Sequence, residues 1–538
     1  MSFQSPVSKC RTTIEGLGTL DGLQYANGVQ QFCGIPYAHL SKRWTRSKLK
    51  TWWENNHHDG TKLGNDCPSP IVDGDDADEL VPVPPSAHLP SIQSVDELSG
   101  LVMNIVIPHT PKEPLPVFVY VHGGSLLYGG ANLPIFDAVN LVSRSISINM
   151  PIICINFNYR VGIGGFLAGS SIARELQDDG YHGSGNFGFT DQQVVFDWVQ
   201  TYIGSLGGDA KRVTAVGESA GGISISNQLL AARPPIFNRA ICMSGLSPAI
   251  PAWTMEQHDS FFEAVCRHFD IDPAGNAIEK LRAIPQQELA NASPAIQGVP
   301  SGTGNPCLDG WFYRGDPRDT HVPPSWLDGF MIGDVYHEGV IFHINLLGQT
   351  YTSIRRILQR YIDDDSNTDQ ILAAYGISED LAQDALLERV EHMCGDAIFK
   401  IPNYATAQEC RRQGWLRDKL FLYHFDQRSR IRNSFEGTAY HAHELLYLFG
   451  NLENEMDETE KSMAREFSSA WIQFANGVAP WNGGDRRWMV WGPDCRGEVK
   501  TEAADEAVRD YARMDMVLGL GDWRQWLAAV DALVNRRQ

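Results

Sequence analysis

The chain has 538 residues, of which 43% are hydrophobic and 20% charged, a balance that supports a large packed core and excludes an intrinsically disordered protein. Its 44 Lys and Arg stand against 65 Asp and Glu, a net charge of −21, and so acidic a surface disfavours nucleic acid or anionic membrane as a partner. No uninterrupted apolar run is long enough to span a bilayer.

In chain order, the segment Met1 to Cys10 lacks the apolar centre of a signal peptide. The last residues, Val534 to Gln538, carry no retention, peroxisomal or prenylation signal. The expected address is therefore cytoplasmic. The first forty residues alternate short β-like runs with Gly and Asn turns, ending at Phe32-Cys-Gly-Ile-Pro-Tyr37. Residues 45–100 differ, with His57-His58, the acidic run Asp73 to Glu79 and Pro82-Val-Pro-Pro85. That composition predicts a long irregular, lid-like loop.

From Leu101 onward strands and helices alternate. Pro116 to Val121 and Pro151 to Asn156 are short apolar runs bounded by turn residues, the pattern of central strands in a mostly parallel sheet. Gln192 to Tyr202 reads as a helix, Val213 to Val216 as a buried strand, and Ile223 to Arg233 as a helix stopped by Pro234-Pro235. Residues 255–300 and 350–415 have helical periodicity and are expected beside the sheet. Trp523 to Val534 reads as an amphipathic helix docked on the body. With no repeat and no low-complexity linker, residues 1–538 are expected to form one α/β domain with large insertions. The ten cysteines are widely spaced with no CxxC pair, which fits reduced thiols better than a zinc cluster.

The stretch Gly217-Glu218-Ser219-Ala220-Gly221-Gly222 lies between the predicted strand and helix. A Gly-x-Ser-x-Gly pattern in that setting is a nucleophile elbow, holding the serine hydroxyl exposed at a helix N-terminus. Acyl transfer by serine further needs an oxyanion hole, a base, and a carboxylate to orient that base. The strand Pro116 to Val121 runs into His122-Gly123-Gly124-Ser125, where glycines let backbone amides face a site. Gly124, Ser125 and Ala220 are the expected oxyanion donors.

Read together, Phe32-Cys-Gly-Ile-Pro-Tyr37, His122-Gly-Gly124, Asn158-Tyr-Arg-Val-Gly162, Gly185-Asn-Phe-Gly188, Asp191-Gln192, Gly207-Gly-Asp209 and the elbow resemble the type-B carboxylesterase/cholinesterase family of α/β-hydrolases. The resemblance runs from about residue 12 to near the C-terminus. It implies an α/β-hydrolase fold, a large mostly parallel sheet flanked by helices with insertions capping the site. The family's acid lies in a strand-end motif closing on Glu-Gly, matched here by Gly329 to Glu338-Gly339. Glu338 is therefore the expected acid, with Asp334 as the nearby rival. Two histidines, His441 and His443, compete for the base. The family pattern His-x-x-Glu before an apolar stretch ending Phe449-Gly450 selects His441. A zinc reading of His443-Glu444-Leu-Leu-Tyr447 fails because the second histidine of HExxH is replaced by tyrosine.

The resemblance also implies that Arg160 and Asp191 form a buried supporting ion pair, and that Glu218 and Glu444 are carboxylates shaping the field of the site. Trp253 and Trp311 are candidates for the substrate pocket, with a plain core role left open for each. Cys67 matches the first cysteine of the family's N-terminal loop disulfide, but the second position reads Leu98-Ser99-Gly100, so that bridge is not expected. Ser125 replaces the third glycine found in many members. The implied activity is a serine carboxylesterase that hydrolyses a small to medium hydrophobic ester through an acyl-enzyme, with no metal or organic cofactor. Acyl transfer to another acceptor in small-metabolite biosynthesis is the alternative, and a non-catalytic cholinesterase-like binding module the remote one.

Overall fold

Alternate side chains of a buried strand face opposite layers, and the run Val117-Phe-Val-Tyr-Val121 does so literally. Val117, Val119 and Val121 join the core on one face of the sheet, while Phe118 and Tyr120 join the core on the other. Both faces are covered by helices, which is why the run carries no polar alternation. The structure, a computed structural model, describes residues 5–71, 94–109, 113–297, 304–319, 322–415, 418–432, 434–484 and 486–535.

Among the described residues one 13-stranded sheet runs through the molecule. Its parallel centre takes the strands Ile153–Phe157, Leu115–Val121, Gly208–Glu218, Arg239–Met243, Gly329–Val335, Leu420–Phe425 and Arg487–Trp491 in that spatial order. Antiparallel strands close both ends, Val102–Pro108, Val29–Pro36, Gly18–Gln24 and Ser8–Ile14 on one side and Gly497–Thr501 on the other. In such a sheet ligands bind beyond the carboxyl ends of the parallel strands. Those ends here are Val121, Glu218, Val335 and Phe425, each leading into a segment described below. No helix among the described residues is long and apolar enough to cross a membrane.

Two predicted elements differ. The helix after the elbow spans Ala220–Leu229 and stops short of Arg233. Ala231 instead bridges Tyr313, and the amide of Ala232 donates to Phe312 O at 2.7 Å, so extended pairing satisfies the backbone that another helical turn would have used. The segment 45–100 is partly built into the body rather than irregular throughout. Lys48–Leu49 pairs with Ala38–His39, and His57–Asp59 lies parallel to Gly18–Gln24. The acidic run and the Pro82 to Pro85 stretch lie outside the described residues.

Arg160 and Asp191 are both buried and share two hydrogen bonds of 2.7 Å, Nε to Oδ2 and Nη2 to Oδ1. Asp191 Oδ1 also accepts from the Ser47 hydroxyl at 2.5 Å, and Arg160 Nη1 donates to Thr45 O at 2.9 Å. Removing one partner strands the other charge in the core. Arg160→Leu should therefore cost ~3–5 kcal/mol of folding stability. Urea unfolding against wild type reads this directly, and a loss under ~1 kcal/mol would mean that water reaches Asp191.

Candidate active site

The elbow is forced by steric contact. A Cβ on Gly217 would stand 2.3 Å from the carbonyl carbon of Gly221, and one on Gly221 would stand 2.0 Å from Val121 O. Only glycine lets the strand, the turn and the next strand approach so closely. Between them Ser219 holds φ 53° and ψ −125°, a conformation that costs a non-glycine residue of order 1–3 kcal/mol. The surrounding backbone holds it there: Ser219 N donates to Met243 O at 2.8 Å, and Ser219 O accepts from Ile223 N at 2.9 Å. Ala220 opens the helix Ala220–Leu229, so its amide has no acceptor within that helix.

The loop after Val121 is held by its own side chains. The His122 ring stacks on Tyr159 with centroids 4.3 Å apart, and the Tyr159 hydroxyl donates to His122 O at 2.9 Å. Burial pushes the His122 pKa down to about 4, leaving it neutral. Gly124 takes φ 106° and Ser125 φ 56°. Gly124 O accepts the amides of Leu127 and Tyr128 at 2.9 and 2.8 Å, so the loop is a tight, anchored turn.

Glu338 follows the strand Gly329–Val335 and is buried. One carboxylate oxygen accepts from Val335 N at 2.8 Å, and the other lies 2.5 Å from His441 Nδ1. His337 N donates to Ala439 O at 2.9 Å, which ties the two loops bearing this pair. Phe399 covers the imidazole with centroids 4.6 Å apart. His441 Nε2 comes within 3.2 Å of Glu218 Oε1, yet neither atom has a hydrogen-bond partner among the described residues. The approach is one of proximity without alignment.

The rivals have other partners. His443 stacks on Tyr440, its Nδ1 lies 3.1 Å from Gln427 O, and burial pushes its pKa down to about 3. Asp334 faces His424 Nδ1 and Arg509 Nη1, both at 2.8 Å. Burial opposes its charge, but His424 and Arg509 outweigh burial and hold its pKa at about 2. Neither residue meets the Glu338–His441 pair.

Glu218 and Glu444 are both buried beside the pair. Burial, then the charges of Glu444 and Glu338, raise the Glu218 pKa well above the carboxylate range. Burial, then Glu338, pushes Glu444 up to about 8, and the Ser244 hydroxyl lies 3.3 Å from it. The folded protein thus keeps a proton on Glu444 that the unfolded chain releases near 4.5. The associated stability is complete below about pH 4.5 and is lost as pH rises to about 8. Glu444→Gln should flatten the decline in denaturant midpoint across that window, a decline limited to about 1.4 kcal/mol per pH unit for one proton. An unaltered slope would show that Glu444 ionises normally in the folded protein.

Ser219, His441, Glu218, Gly124 and Ser125 all line one cavity, with about 920 Å³ of unfilled space including its mouth. Its apolar walls include Ile223, Ile250, Ile341, Phe342, Ile398 and Phe399. Glu444 is not part of this lining. Neither Trp253 nor Trp311 is among the residues that line the cavity. Trp253 packs edge-on against Phe261 and its amide donates to Pro306 O at 2.8 Å. Trp311 is 38% exposed under the Arg46 guanidinium. Sequence reasoning missed Phe399, which lies in a π-helical turn, Asp396–Lys400. Such turns often mark functional sites, but nothing in the local periodicity announces one. It also missed Asp531, Val534 and Asn535, which bring the C-terminal helix Trp523–Val534 to the cavity wall.

Known proteins resemble this chain in sequence and fold. Residues 8–516 match the model of the carboxylesterase family. Lipase 3 of Yarrowia lipolytica is 27% identical over 482 residues, 84% of this chain and 86% of that protein. The para-nitrobenzyl esterase of Bacillus subtilis is 29% identical over 478 residues, again 84% and 86%. A solved PNB esterase structure superposes with a TM-score of 0.75 at 24% identity, covering 94% of this chain and 99% of that one. The chain belongs to the carboxylesterase family, with the α/β-hydrolase fold, and is a carboxylic-ester hydrolase.

Proposed function

We propose that Ser219, His441 and Glu338 hydrolyse a small to medium hydrophobic ester through an acyl-enzyme. The observation that carries this reading is the 2.5 Å contact of His441 Nδ1 with the buried Glu338 carboxylate, in a cavity that His441 shares with Ser219. Glu338 fixes the tautomer with its proton on Nδ1, which leaves Nε2 as the base. Ser219 Oγ attacks the carbonyl carbon as Nε2 takes its proton. The oxyanion accepts hydrogen bonds from the amides of Gly124, Ser125 and Ala220, each such donor contributing ~2.7–4 kcal/mol at the transition state. The C–O bond to the alcohol breaks as Nε2 returns the proton to the departing oxygen. Water then adds to the acyl-enzyme with Nε2 again as base, releasing the acid and restoring Ser219. Glu218, biased by burial towards its neutral form, adds little competing negative charge beside the imidazole.

The substrate class rests on the Ile and Phe walls, which favour alkyl or aryl groups over charged ones. All ten cysteines are unpaired, in keeping with work in a reducing, cytoplasmic compartment. The test is hydrolysis of p-nitrophenyl esters from acetate to dodecanoate by wild type and Ser219→Ala. Turnover with an optimum at short or medium chains supports the reading. A folded wild type that turns over none of them overturns it.

A further inference from the structure

The turn that carries Glu338 packs against a helix, and that helix supplies a buried carboxylate with no place in the chemistry above. Glu338–Phe342 is a short 3-10 segment that also bears Ile341 and Phe342 of the cavity wall. The helix Gln383–Gly395 lies directly on it. A Cβ on Gly339 would stand 1.7 Å from Glu391 O, and one on Gly395 would stand 2.4 Å from Gly339 N and 3.0 Å from the Glu338 Cβ. Two glycines thus bring the helix backbone against the backbone of the acid.

Glu391, on that helix, is 5% exposed. One of its carboxylate oxygens lies 2.6 Å from His343 Nδ1, and the other comes within 3.4 Å of His337 Nε2. His337 immediately precedes Glu338 and His343 immediately follows Phe342, so one carboxylate touches both ends of the turn. The His337 end also reaches the loop of the base, because its backbone pairs with Ala439 and Tyr440, just before His441. The His337 ring stacks on His392 with centroids 4.0 Å apart. Burial, then His337 and Lys400, pushes the His392 pKa down to about 3, so that ring is neutral. Lys400 lies 2.8 Å from Asp396, and Arg513 lies 3.2 Å from the same carboxylate, so these charges are engaged with one another. A carboxylate is costly to bury without partners, and here the partners are the two histidines that bracket the acid. We infer that Glu391 is a positioning residue: it clamps the turn from both ends and holds the Glu338 carboxylate in line with His441. The inference rests on the Ser219, His441 and Glu338 reading and deepens it. The contact being held is 2.5 Å long, and a displacement of about 1 Å in a reacting group can cost on the order of 100-fold in rate.

The test is a double-mutant cycle on kcat for p-nitrophenyl butyrate, with wild type, Glu391→Leu, Glu338→Gln and the double variant. Folded protein is counted by near-UV circular dichroism, so that kcat refers to folded molecules only. Glu391→Leu should lower kcat by roughly tenfold to 100-fold when Glu338 is present. In the Glu338→Gln background the same change should alter kcat by less than about twofold, because a residue that acts through Glu338 has nothing left to position. His343→Leu, at a side chain 49% exposed and so tolerant of change, runs the same cycle if Glu391→Leu fails to fold. Equal losses in the two backgrounds would make Glu391 a structural residue and overturn this inference alone, as would an unchanged kcat in Glu391→Leu. An unchanged kcat in Glu338→Gln would overturn the assignment of the acid and this inference with it.

Discussion

Ser219→Ala should lower kcat/KM for p-nitrophenyl butyrate by on the order of 10^4–10^6-fold, with no loss of folding stability. Truncating the side chain removes the attacking oxygen and leaves the oxyanion donors in place, so a residual rate above that of water is expected. His441→Ala should cost about as much, and the double variant little more, because the two act as a unit and their effects do not add. His443→Ala is the informative control. His443 is a neutral ring stacked on Tyr440 with Nδ1 facing Gln427 O, so its loss should weaken packing and leave kcat within about tenfold of wild type. The converse result, with His443→Ala inactive and His441→Ala active, would reverse the assignment of the base. Alanine at 219 leaves the turn as strained as serine does, since φ there is positive for either residue; an unfolding midpoint equal to wild type separates a chemical loss from a structural one.

What could be read from the sequence was whatever backbone sterics dictate locally. Gly217 and Gly221 are legible because no other residue fits their contacts, and Gly339 for the same reason, since a Cβ there would stand 1.7 Å from Glu391 O. The central strands were legible because burial on both faces leaves an uninterrupted apolar run, as at Val117 to Val121. The C-terminal helix was legible as Trp523–Val534, but not where it docks. Its amphipathic pattern specifies that one face is buried and says nothing of the surface that buries it. Trp253 and Trp311 show the same limit. Each follows a turn close in sequence to a family landmark, yet packing against Phe261 for one and Arg46 for the other decides where the rings go. The end of the elbow helix at Leu229 depends on an extended segment at Phe312 to Arg314, about eighty residues onward, which no local window contains.

Glu338→Gln should lower kcat by about 10^4-fold while leaving the fold intact, and Asp334→Asn should do the reverse. An amide at 338 keeps the shape of the carboxylate but can present its NH2 to His441 Nδ1. The ring then takes the tautomer with its proton on Nε2, which cannot accept from Ser219, and the developing imidazolium loses its counter-charge. The loss should fall on kcat rather than KM, since no part of Glu338 is among the residues lining the cavity. Asp334 lies on the preceding strand, only four positions earlier, but belongs to a different electrostatic unit. It shares Arg509 with Asp426, and its His424 partner stacks on Trp488. Neutralising it leaves a buried arginine with one fewer counter-charge, a change that should destabilise by ~3–5 kcal/mol with kcat little affected in the fraction that folds. Measuring kcat and denaturant midpoint for both variants gives a crossed pattern. If Asp334→Asn instead lost turnover at wild-type stability while Glu338→Gln kept it, the acid would be Asp334, and the 2.5 Å contact of Glu338 with His441 would be structural.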